Sequence, residues 1–412
     1  MSHSAAEAHG ARLRVALFSG NYNYVVDGPV RALNKLVAHL EARGHAALVF
    51  APTIANPPIA HAGELVSVPS VALPGSRNEY RLGLGFRFRE GRAAKARLEA
   101  FRPNLIHIAA PDLTARHALD YAEANGVAAV ASFHTRFDTY PRYYGLKWLE
   151  PRLTAYMRRF YARVRHVYAP SQSMIDELAR DGVGSDLRLW TRGVDEDGFN
   201  PGRRDMAWRR AQGFADDDVV VAFVGRVVLE KAIDVFAETV AAARRRAPRL
   251  RALVVGDGPE RAHFAARLPN DVFVGYLQDA ELARAYASAD IFLNPSVTET
   301  FGNVTLEAMA CGLPSVGASA SGSRTLIEDG VTGRVAAPDP ARGGGAAAFA
   351  DILVELAHDK GARARMGAAA LAASLDYRWP ATLDKLIAHY HEAVSGARGR
   401  GETIRSASTR VD

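Results

Sequence analysis

Short apolar runs rich in β-branched residues alternate with helical segments along the whole chain, and this alternation constrains the fold more than any other feature. Residues 13–18 and 47–51 are typical of buried strands, and residues 30–42 between them carry apolar side chains at helical spacing. Strands that alternate with helices form a parallel sheet, because parallel neighbours need a long crossover connection. The pattern therefore predicts an α/β fold.

The alternation runs through the chain twice, so we expect two doubly wound, Rossmann-like domains. A length of 412 residues also suits two or three domains, since about 100 to 200 residues per domain is usual. Residues 193–213, rich in Gly, Asp and Pro, are the expected linker. Strands are expected at 13–18, 47–51, 105–109, 128–133 and 166–169, and then at 219–224, 251–255, 272–274, 291–294 and 315–317.

Composition excludes several classes of protein. Hydrophobic residues make up 48% and charged residues 23% of the chain, which is globular usage and excludes a wholly disordered or collagenous protein. No apolar run approaches the roughly 18 residues needed to cross a bilayer. The single cysteine, Cys311, cannot form an internal disulfide or a multi-thiolate zinc site. We expect a cytoplasmic protein that does no redox chemistry.

The net charge of +6 is concentrated in two segments. Residues 77–102 carry eight basic and three acidic side chains, and residues 142–165 carry seven basic side chains and one acidic. The second segment is interleaved with Tyr, Trp and Phe, a mixture that suits an anionic membrane surface. A solvated helix face with inward aromatics is the other main interpretation, and nucleic acid is the least favoured.

Two cations follow the strand expected at 219–224. Arg226 closes that strand and Lys231 lies five residues later, at the start of a helix. Fixed cations beside a helix N-terminus can bind a diphosphate, because the exposed N–H groups and the helix dipole add to the side-chain charge. A surface pair that only solvates a loop is the alternative.

Two carboxylates, Glu299 and Glu307, follow the strand expected at 291–294. Glu299 is expected in the loop above the sheet and Glu307 inside the next helix, beyond the free N–H groups near Gly302 and Asn303. Glu299 can then meet sugar hydroxyls, Glu307 can meet a ribose diol, and the free N–H groups can meet a phosphate. Alternatively, Glu299 caps the helix and Glu307 is solvated.

The first domain offers weaker candidates. Gly28 precedes a helix, where a glycine lets the backbone approach an anion, and His134 ends the strand at 128–133. A turn glycine and a structural histidine are the alternatives. Asp195 and Asp197 have a spacing that can hold a metal, but a solvated acidic loop is favoured. Gly256 to Pro259 lacks a full dinucleotide fingerprint, so a nicotinamide site is not supported.

With these motifs the chain resembles the retaining glycosyltransferases of family 4 over nearly its whole length. The resemblance implies a GT-B architecture: an α/β fold with two facing Rossmann-like domains and a cleft between them. It implies that Arg226 and Lys231 bind the donor diphosphate, Glu299 the donor sugar and Glu307 the ribose. Further donor contacts are implied at Leu277, Phe301, Gly302, Asn303 and Val304.

In the amino half, residues 27–31 resemble the family's glycine loop, and residues 132–135 its strand end with the active-site histidine. This implies that Gly28 binds the donor and His134 is catalytic, together with Arg226, Lys231 and Glu299. Residues 137–146 resemble the branch of bacterial glycolipid mannosyltransferases and sulfoquinovosyltransferases. The acceptor residues implied in or next to this segment are Arg136, Tyr140 and Tyr144. Two positions depart from the family pattern, Pro29 and Ala232.

The resemblance implies an acceptor-binding domain at residues 1–195 and a nucleotide-sugar-binding domain at 196–378. A helix at 379–394 is expected to cross back to the first domain, before a disordered tail at 395–412. The reaction implied moves a hexosyl group from GDP-mannose or a UDP-hexose to a lipid or glycolipid hydroxyl with retention. No metal or cofactor is expected. Peripheral contact with the inner face of the cytoplasmic membrane is expected. A soluble acceptor, or a non-catalytic nucleotide-sugar binder, is the alternative; a Rossmann oxidoreductase is the weakest rival.

Overall fold

In the computed structural model the chain forms two compact units, Met1–Trp190 with Pro380–Asp412, and Thr191–Trp379. The structure describes residues 11–25, 28–72, 81–134, 147–297, 299, 301–336 and 345–408. The sequence places the first boundary between residues 195 and 196 and the second between 378 and 379, close to these divisions. From Pro380 onward, the last helix belongs to the first unit.

The first unit contains a seven-stranded sheet, parallel throughout, and a separate antiparallel hairpin of β4 and β5. Its elements are β1 (Arg14–Phe18), α1 (Gly28–Ala42), β2 (Ala46–Ala51), β3 (Glu64–Ser67), β4 (Ser70–Ala72), β5 (Arg81–Gly83), α2 (Arg89–Phe101), β6 (Leu105–Ile108), α3 (Leu113–Asn125), β7 (Ala128–Ser132), α4 (Glu150–Tyr161), β8 (Val167–Ala169), α5 (Gln172–Arg180) and β9 (Leu187–Leu189). The strand order is β3-β2-β1-β6-β7-β8-β9.

The second unit contains a six-stranded parallel sheet. Its elements are α6 (Met206–Ala211), β10 (Val219–Val224), α7 (Ile233–Arg244), β11 (Leu250–Val255), α8 (Arg261–Arg267), β12 (Val272–Gly275), α9 (Asp279–Ala287), β13 (Ile291–Asn294), α10 (Asn303–Ala310), β14 (Ser315–Ala318), α11 (Ser321–Leu326), β15 (Gly333–Ala336), α12 (Ala346–His358) and α13 (Lys360–Ser374), and α14 (Trp379–Ser408) follows. The strand order, β12-β11-β10-β13-β14-β15, is the Rossmann order.

The predicted α/β class and the two Rossmann-like sheets are confirmed. The bounds of β10 and β13 match the expected strands to the residue, and the other expected strands match within one residue at each end. Five strands are not predicted by the sequence, β3, β4, β5, β9 and β15, and each is only three or four residues long with few buried residues. Short edge strands carry too little periodicity to be recognised.

The last helix is longer than predicted. It runs Trp379–Ser408, whereas the sequence analysis expects a helix at 379–394 and a disordered tail from 395. The disordered tail is expected because the last residues of a chain are often poorly ordered. A helix that is already formed extends without a new nucleation cost, and the Ala, Arg and Glu residues of this segment are good helix formers.

Aromatic packing fixes the start of α7, and with it the loop that follows β10. The rings of Phe223 and Phe236 lie 5.4 Å apart in an edge-to-face arrangement, and both contact Phe264 of α8 at 5.3 and 5.7 Å. All three side chains are buried. The loop at residues 225–232 is therefore held at both ends by a rigid core.

Among the described residues, no helix combines the length and the apolar character needed to cross a membrane.

Ala232 begins α7 in the left-handed conformation, with φ 55° and ψ 42°. A left-handed residue other than glycine costs about 1–2 kcal/mol, because its Cβ crowds the backbone. The family pattern often has Gly or Asn here, so the departure noted in the sequence costs stability but leaves the helix start in place.

We predict that Ala232→Gly raises the free energy of unfolding by about 1 kcal/mol, because it removes this crowding. Urea denaturation measures the change. The control is Ala241→Gly, at an exposed position inside the same helix, which should lower stability by about 1 kcal/mol. If both variants lose stability, Ala232 does not carry the strain described.

Candidate active site

The candidate donor site lies where strand order reverses in the second sheet. β10 pairs with β11 on one side and with β13 on the other. From β10, the strand order runs through β11 to β12 on one side and through β13 and β14 to β15 on the other. In such sheets, ligands bind beyond the carboxyl ends of the strands at this reversal. Arg226 and Lys231 follow β10, and Glu299 and Glu307 follow β13, so the predicted side chains share this edge.

A direct ion pair joins the two loops. Lys231 Nζ donates a hydrogen bond to the Oε1 atom of Glu299, across 68 positions of sequence. The side chains are 29% and 16% exposed, so the pair is shielded but open on one side. Arg226 is exposed on the same loop as Lys231. The structure thus brings together the cation predicted for the diphosphate and the carboxylate predicted for the sugar.

The backbone of Glu299 is held by a residue that the sequence analysis missed. Gly322, the second residue of α11, donates its N–H to the Glu299 carbonyl oxygen at 3.0 Å. A Cβ atom at Gly322 would lie 2.8 Å from that oxygen and 2.9 Å from Glu299 Cβ. Only glycine permits this approach. The run of small residues at 318–323 after β14 was the available indication.

The first turn of α10 follows directly. Gly302 is the N-cap residue with φ 94°, and its carbonyl accepts the N–H groups of Thr305 and Leu306. The first N–H groups of a helix have no acceptor within it, so those of Asn303 and Val304 suit a phosphate or sugar oxygen. Phe301 is buried against Tyr377 and anchors the turn. The alternative in which Glu299 caps this helix is wrong, because Gly302 occupies the cap.

Tyr286, which the sequence does not identify as a site residue, orients Glu307. Tyr286 of α9 is fully buried and donates its hydroxyl to Glu307 Oε2 at 3.1 Å. The carboxylate is half-buried, so the alternative in which it is merely solvated does not hold. Tyr286 carries no indication of this role in the sequence, because its helical spacing matches that of an ordinary core residue.

The loops after β10, β11 and β12 are stacked by close backbone contacts. Gly256 donates its N–H to the Gly275 carbonyl at 2.7 Å, and a Cβ atom at Gly256 would lie 1.9 Å from the Gly225 carbonyl oxygen. Leu277 follows this stack and packs, partly buried, against the core. Leu277, one of the implied donor contacts, therefore lies at the same sheet edge.

In the first unit, Gly28 is the first residue of α1, whereas the sequence predicts it just before a helix at 30–42. His134 follows β7 and is half-buried. The His134 ring lies 5.9 Å from the ring of Trp190, and its Nε2 atom is 2.8 Å from Ser132 Oγ. The predicted acceptor residues lie outside the described residues; they are Arg136, Tyr140 and Tyr144.

The acidic segment after Val194 stabilises a turn. Asp195 Oδ1 accepts the N–H of Gly198 at 3.3 Å, and Glu196 pairs with Arg378 at 3.0 Å. Over the described ranges, no group of three or more His, Cys, Asp or Glu side chains is arranged to hold a metal ion.

Comparison with known proteins matches both halves of the chain to family models. "Glycosyltransferase Family 4" matches residues 26–197, and "Glycosyl transferases group 1" matches residues 218–359. The GDP-mannose-dependent alpha-mannosyltransferase of Mycolicibacterium smegmatis is 35% identical over 94% of this chain and 99% of its own length. That of Mycobacterium tuberculosis is 34% identical over 94% and 98%. The sulfoquinovosyl transferase of Arabidopsis thaliana is 32% identical over 69% and 56%.

Solved structures share the fold at lower identity. Sucrose-phosphate synthase from Thermosynechococcus elongatus has a TM-score of 0.75 at 21% identity, over 93% of this chain and 99% of its own. Anabaena HepE, solved with UDP and glucose, has a TM-score of 0.70 at 20% identity, over 93% and 100%. These likenesses concern the fold, and the GT-B class predicted from the sequence is confirmed.

We predict that Gly322→Ala displaces Glu299 and lowers transfer from a nucleotide-sugar donor about tenfold, the cost of one misplaced hydrogen-bonding group. Steady-state release of nucleoside diphosphate measures the change. The control is Gly361→Ala, also at the second position of a helix, where the added methyl meets only the flexible Arg365 side chain and the Asp359 carboxylate at 3.2 Å. Equal activity in both variants would contradict the role given to Gly322.

Proposed function

We propose a reaction for this chain, which belongs to glycosyltransferase family 4. In this proposal it moves a mannosyl group from GDP-mannose to a hydroxyl of a lipid or glycolipid, with retention at the anomeric carbon. The observation that carries this proposal is the contact between Lys231 and Glu299 at the reversal point of the second sheet. GDP-mannose is proposed because relatives matched over almost their whole length are named for that donor; a UDP-hexose is the alternative.

The proposed transferase stabilises its leaving group by fixed positive charge. As the sugar departs, negative charge grows on the diphosphate, and Arg226, Lys231 and the first turn of α10 are the groups that stabilise it. Interactions of this kind accelerate the reaction because they are stronger in the transition state than in the bound substrate. Glu299 and His134 orient the sugar, and Glu307 binds the ribose hydroxyls.

The ion pair keeps Lys231 in place before the donor arrives. An ammonium group has three N–H donors, so Lys231 can keep its bond to Glu299 while it donates to a diphosphate oxygen. Glu299 in turn has a second carboxylate oxygen for a sugar hydroxyl. The pair therefore preorganises both groups, which reduces the ordering cost of donor binding.

We further propose that the reaction requires neither a metal nor a cofactor. Two side-chain cations and a helix N-terminus together supply positive charge of the kind that a divalent ion supplies in other transferases. In the proposed reaction the acceptor attacks the face from which the diphosphate leaves, and a phosphate oxygen takes its proton, so no protein nucleophile is needed.

We predict that Lys231→Ala and Arg226→Ala each lower turnover about tenfold to a thousandfold, the range found when one preorganised charge stabiliser is removed. Excess EDTA should leave the wild-type rate largely intact. The assay measures diphosphate release from GDP-mannose with acceptor present. Arg249→Ala, which removes an exposed arginine paired with Asp217 in the same unit, is the control and should be fully active.

Normal turnover in either cation variant would contradict the diphosphate role. A sharp loss of activity with EDTA would instead contradict metal independence and return attention to Asp195 and Asp197.

A lipid acceptor is favoured by the surface of α4. Trp148 is 62% exposed just before this helix, and Arg152 lies over its ring at 5.6 Å. Arg158 and Arg159 are exposed further along. An amphipathic tryptophan beside several arginines suits an anionic headgroup layer. Peripheral attachment at the inner face of the cytoplasmic membrane is the location we propose.

Other described residues of this basic segment have structural roles. Phe160 and Tyr161 are buried in the core of the first unit, as the alternative of inward aromatics predicts. Arg163 forms ion pairs with Asp120 at 2.7 Å and Glu123 at 2.8 Å, so its charge is compensated. Among the described side chains, the proposed membrane surface consists of Trp148, Arg152, Arg158 and Arg159.

We predict that the protein cosediments with anionic vesicles at low salt and that binding weakens at high salt. Replacing Arg152, Arg158 and Arg159 by Gln should lower the affinity more than tenfold, since each cation near the leaflet contributes about 1 kcal/mol. The control replaces three exposed arginines of the second unit, Arg245, Arg246 and Arg249, for the same change in net charge.

If both triple variants lose binding equally, net charge alone governs it and α4 has no special role. If the wild type ignores anionic vesicles at low salt, the lipid acceptor loses its main support. A soluble acceptor then becomes the favoured alternative.

A further inference from the structure

Four side chains of the first unit form one hydrogen-bonded chain that ends at His134. The Tyr390 hydroxyl, on α14, contacts His107 Nδ1, on β6. His107 Nε2 lies 2.9 Å from Ser132 Oγ, and Ser132 Oγ lies 2.8 Å from His134 Nε2. The first three of these residues are 0–1% exposed. The chain therefore runs from the buried core to the candidate catalytic histidine.

Burial fixes where the protons lie at the start of this chain. Desolvation lowers the pKa of His107 to about 3, so its ring is neutral at pH 7 and carries one N–H. Desolvation also raises the pKa of Tyr390 well above its ordinary value, so the phenol keeps its proton. A buried O–H left without an acceptor is costly, and the acceptor here is His107 Nδ1.

The remaining proton positions follow in order. Because His107 Nδ1 accepts from Tyr390, the ring hydrogen of His107 lies on Nε2 and is donated to Ser132 Oγ. The Ser132 hydroxyl has one hydrogen, which then points to His134 Nε2. That nitrogen is an acceptor, so a neutral His134 carries its hydrogen on Nδ1.

The ring planes are fixed as well. Trp190 is buried, and its ring lies 5.8 Å from the His107 ring and 5.9 Å from the His134 ring, at 62° to each. A tryptophan that packs edge-on against both histidines restricts the rotation of either. The hydrogen bonds set the tautomer, and the packing sets the orientation.

We propose that Tyr390, His107 and Ser132 are positioning residues that hold His134 as the neutral Nδ1–H tautomer in one orientation. The inference rests on the proposed function, in which His134 orients the donor sugar. In this tautomer the ring has its hydrogen-bond donor at Nδ1 and its acceptor at Nε2, so its hydrogen-bonding pattern is defined before the donor sugar binds. Because Tyr390 lies on α14, the last helix of the chain helps to position the candidate site.

The first test reads the tautomer directly, by nitrogen NMR of the histidine rings in the full chain at pH 7. In the wild type we expect His134 to be protonated at Nδ1 and not at Nε2. Ser132→Ala removes the donor to Nε2, so a large share of His134 should move its hydrogen to Nε2. The His134 signals are assigned by their loss in His134→Ala.

A second variant keeps the test decisive if Ser132→Ala fails to fold. Tyr390→Phe removes the donor at the start of the chain, so His107 should populate both tautomers and the bias at His134 should weaken. The control is Tyr168→Phe, another fully buried tyrosine of the same core, whose hydroxyl contacts His166 at 3.2 Å. It should leave both histidines unchanged. Wild-type signals for His134 in Ser132→Ala, or in Tyr390→Phe, would overturn the proposal.

The second test separates positioning from simple stability. We expect Ser132→Ala to lower kcat about tenfold with little change in the donor KM, and to have less than a twofold effect when His134 is already alanine. An equal loss in both backgrounds would show that Ser132 acts on the fold and not through His134. If no transfer is found in the wild type but the ring signals change as expected, the proposed function fails while the positioning of His134 stands.

Discussion

Parallel hydrogen bonding between β10 and β13 is the constraint on which the candidate donor site depends. The two strands are neighbours in the sheet although β11 and β12 lie between them in sequence, so their carboxyl ends meet where the strand order reverses. This pairing brings Lys231 within reach of Glu299. The glycine contacts at Gly256 and Gly322 then bring the adjoining loops close enough to hold that edge in shape. Without the shared edge, the same side chains would be scattered surface charges of little consequence.

The first unit uses the same arrangement with different chemistry. Pairing of β6 with β7 places His107 near Ser132, and Tyr390 of α14 contacts His107. A polar chain in an apolar core is costly unless each member has a partner, and here each member is hydrogen-bonded to the next. The second unit holds its groups by charge on a half-open edge, whereas the first holds the half-buried His134 by neutral hydrogen bonds that begin in the buried core.

The two arrangements place different demands on the backbone. Around Glu299, positions 256, 302 and 322 need glycine for a close approach or a left-handed turn. At Ala232 the chain keeps a left-handed turn without glycine, and the helix nonetheless begins at Ile233 because the aromatic core of Phe223, Phe236 and Phe264 holds it. Tertiary packing therefore overrides local preference at this position, as expected where a core is rigid.

The sequence by itself determined the α/β class, the two sheets, the bounds of β10 and β13, and the candidates Arg226, Lys231, Glu299 and Glu307. Each of these rests on local periodicity, or on charged residues in the loop or helix that follows a strand, which neighbouring residues encode. Only the tertiary structure decided that Lys231 contacts Glu299, that Tyr286 holds Glu307, that Gly322 supports Glu299 and that Tyr390 reaches His107. The partners in these contacts lie 68, 21, 23 and 283 positions apart, and no local pattern records them. They exist because strand order and helix packing bring distant segments to one place.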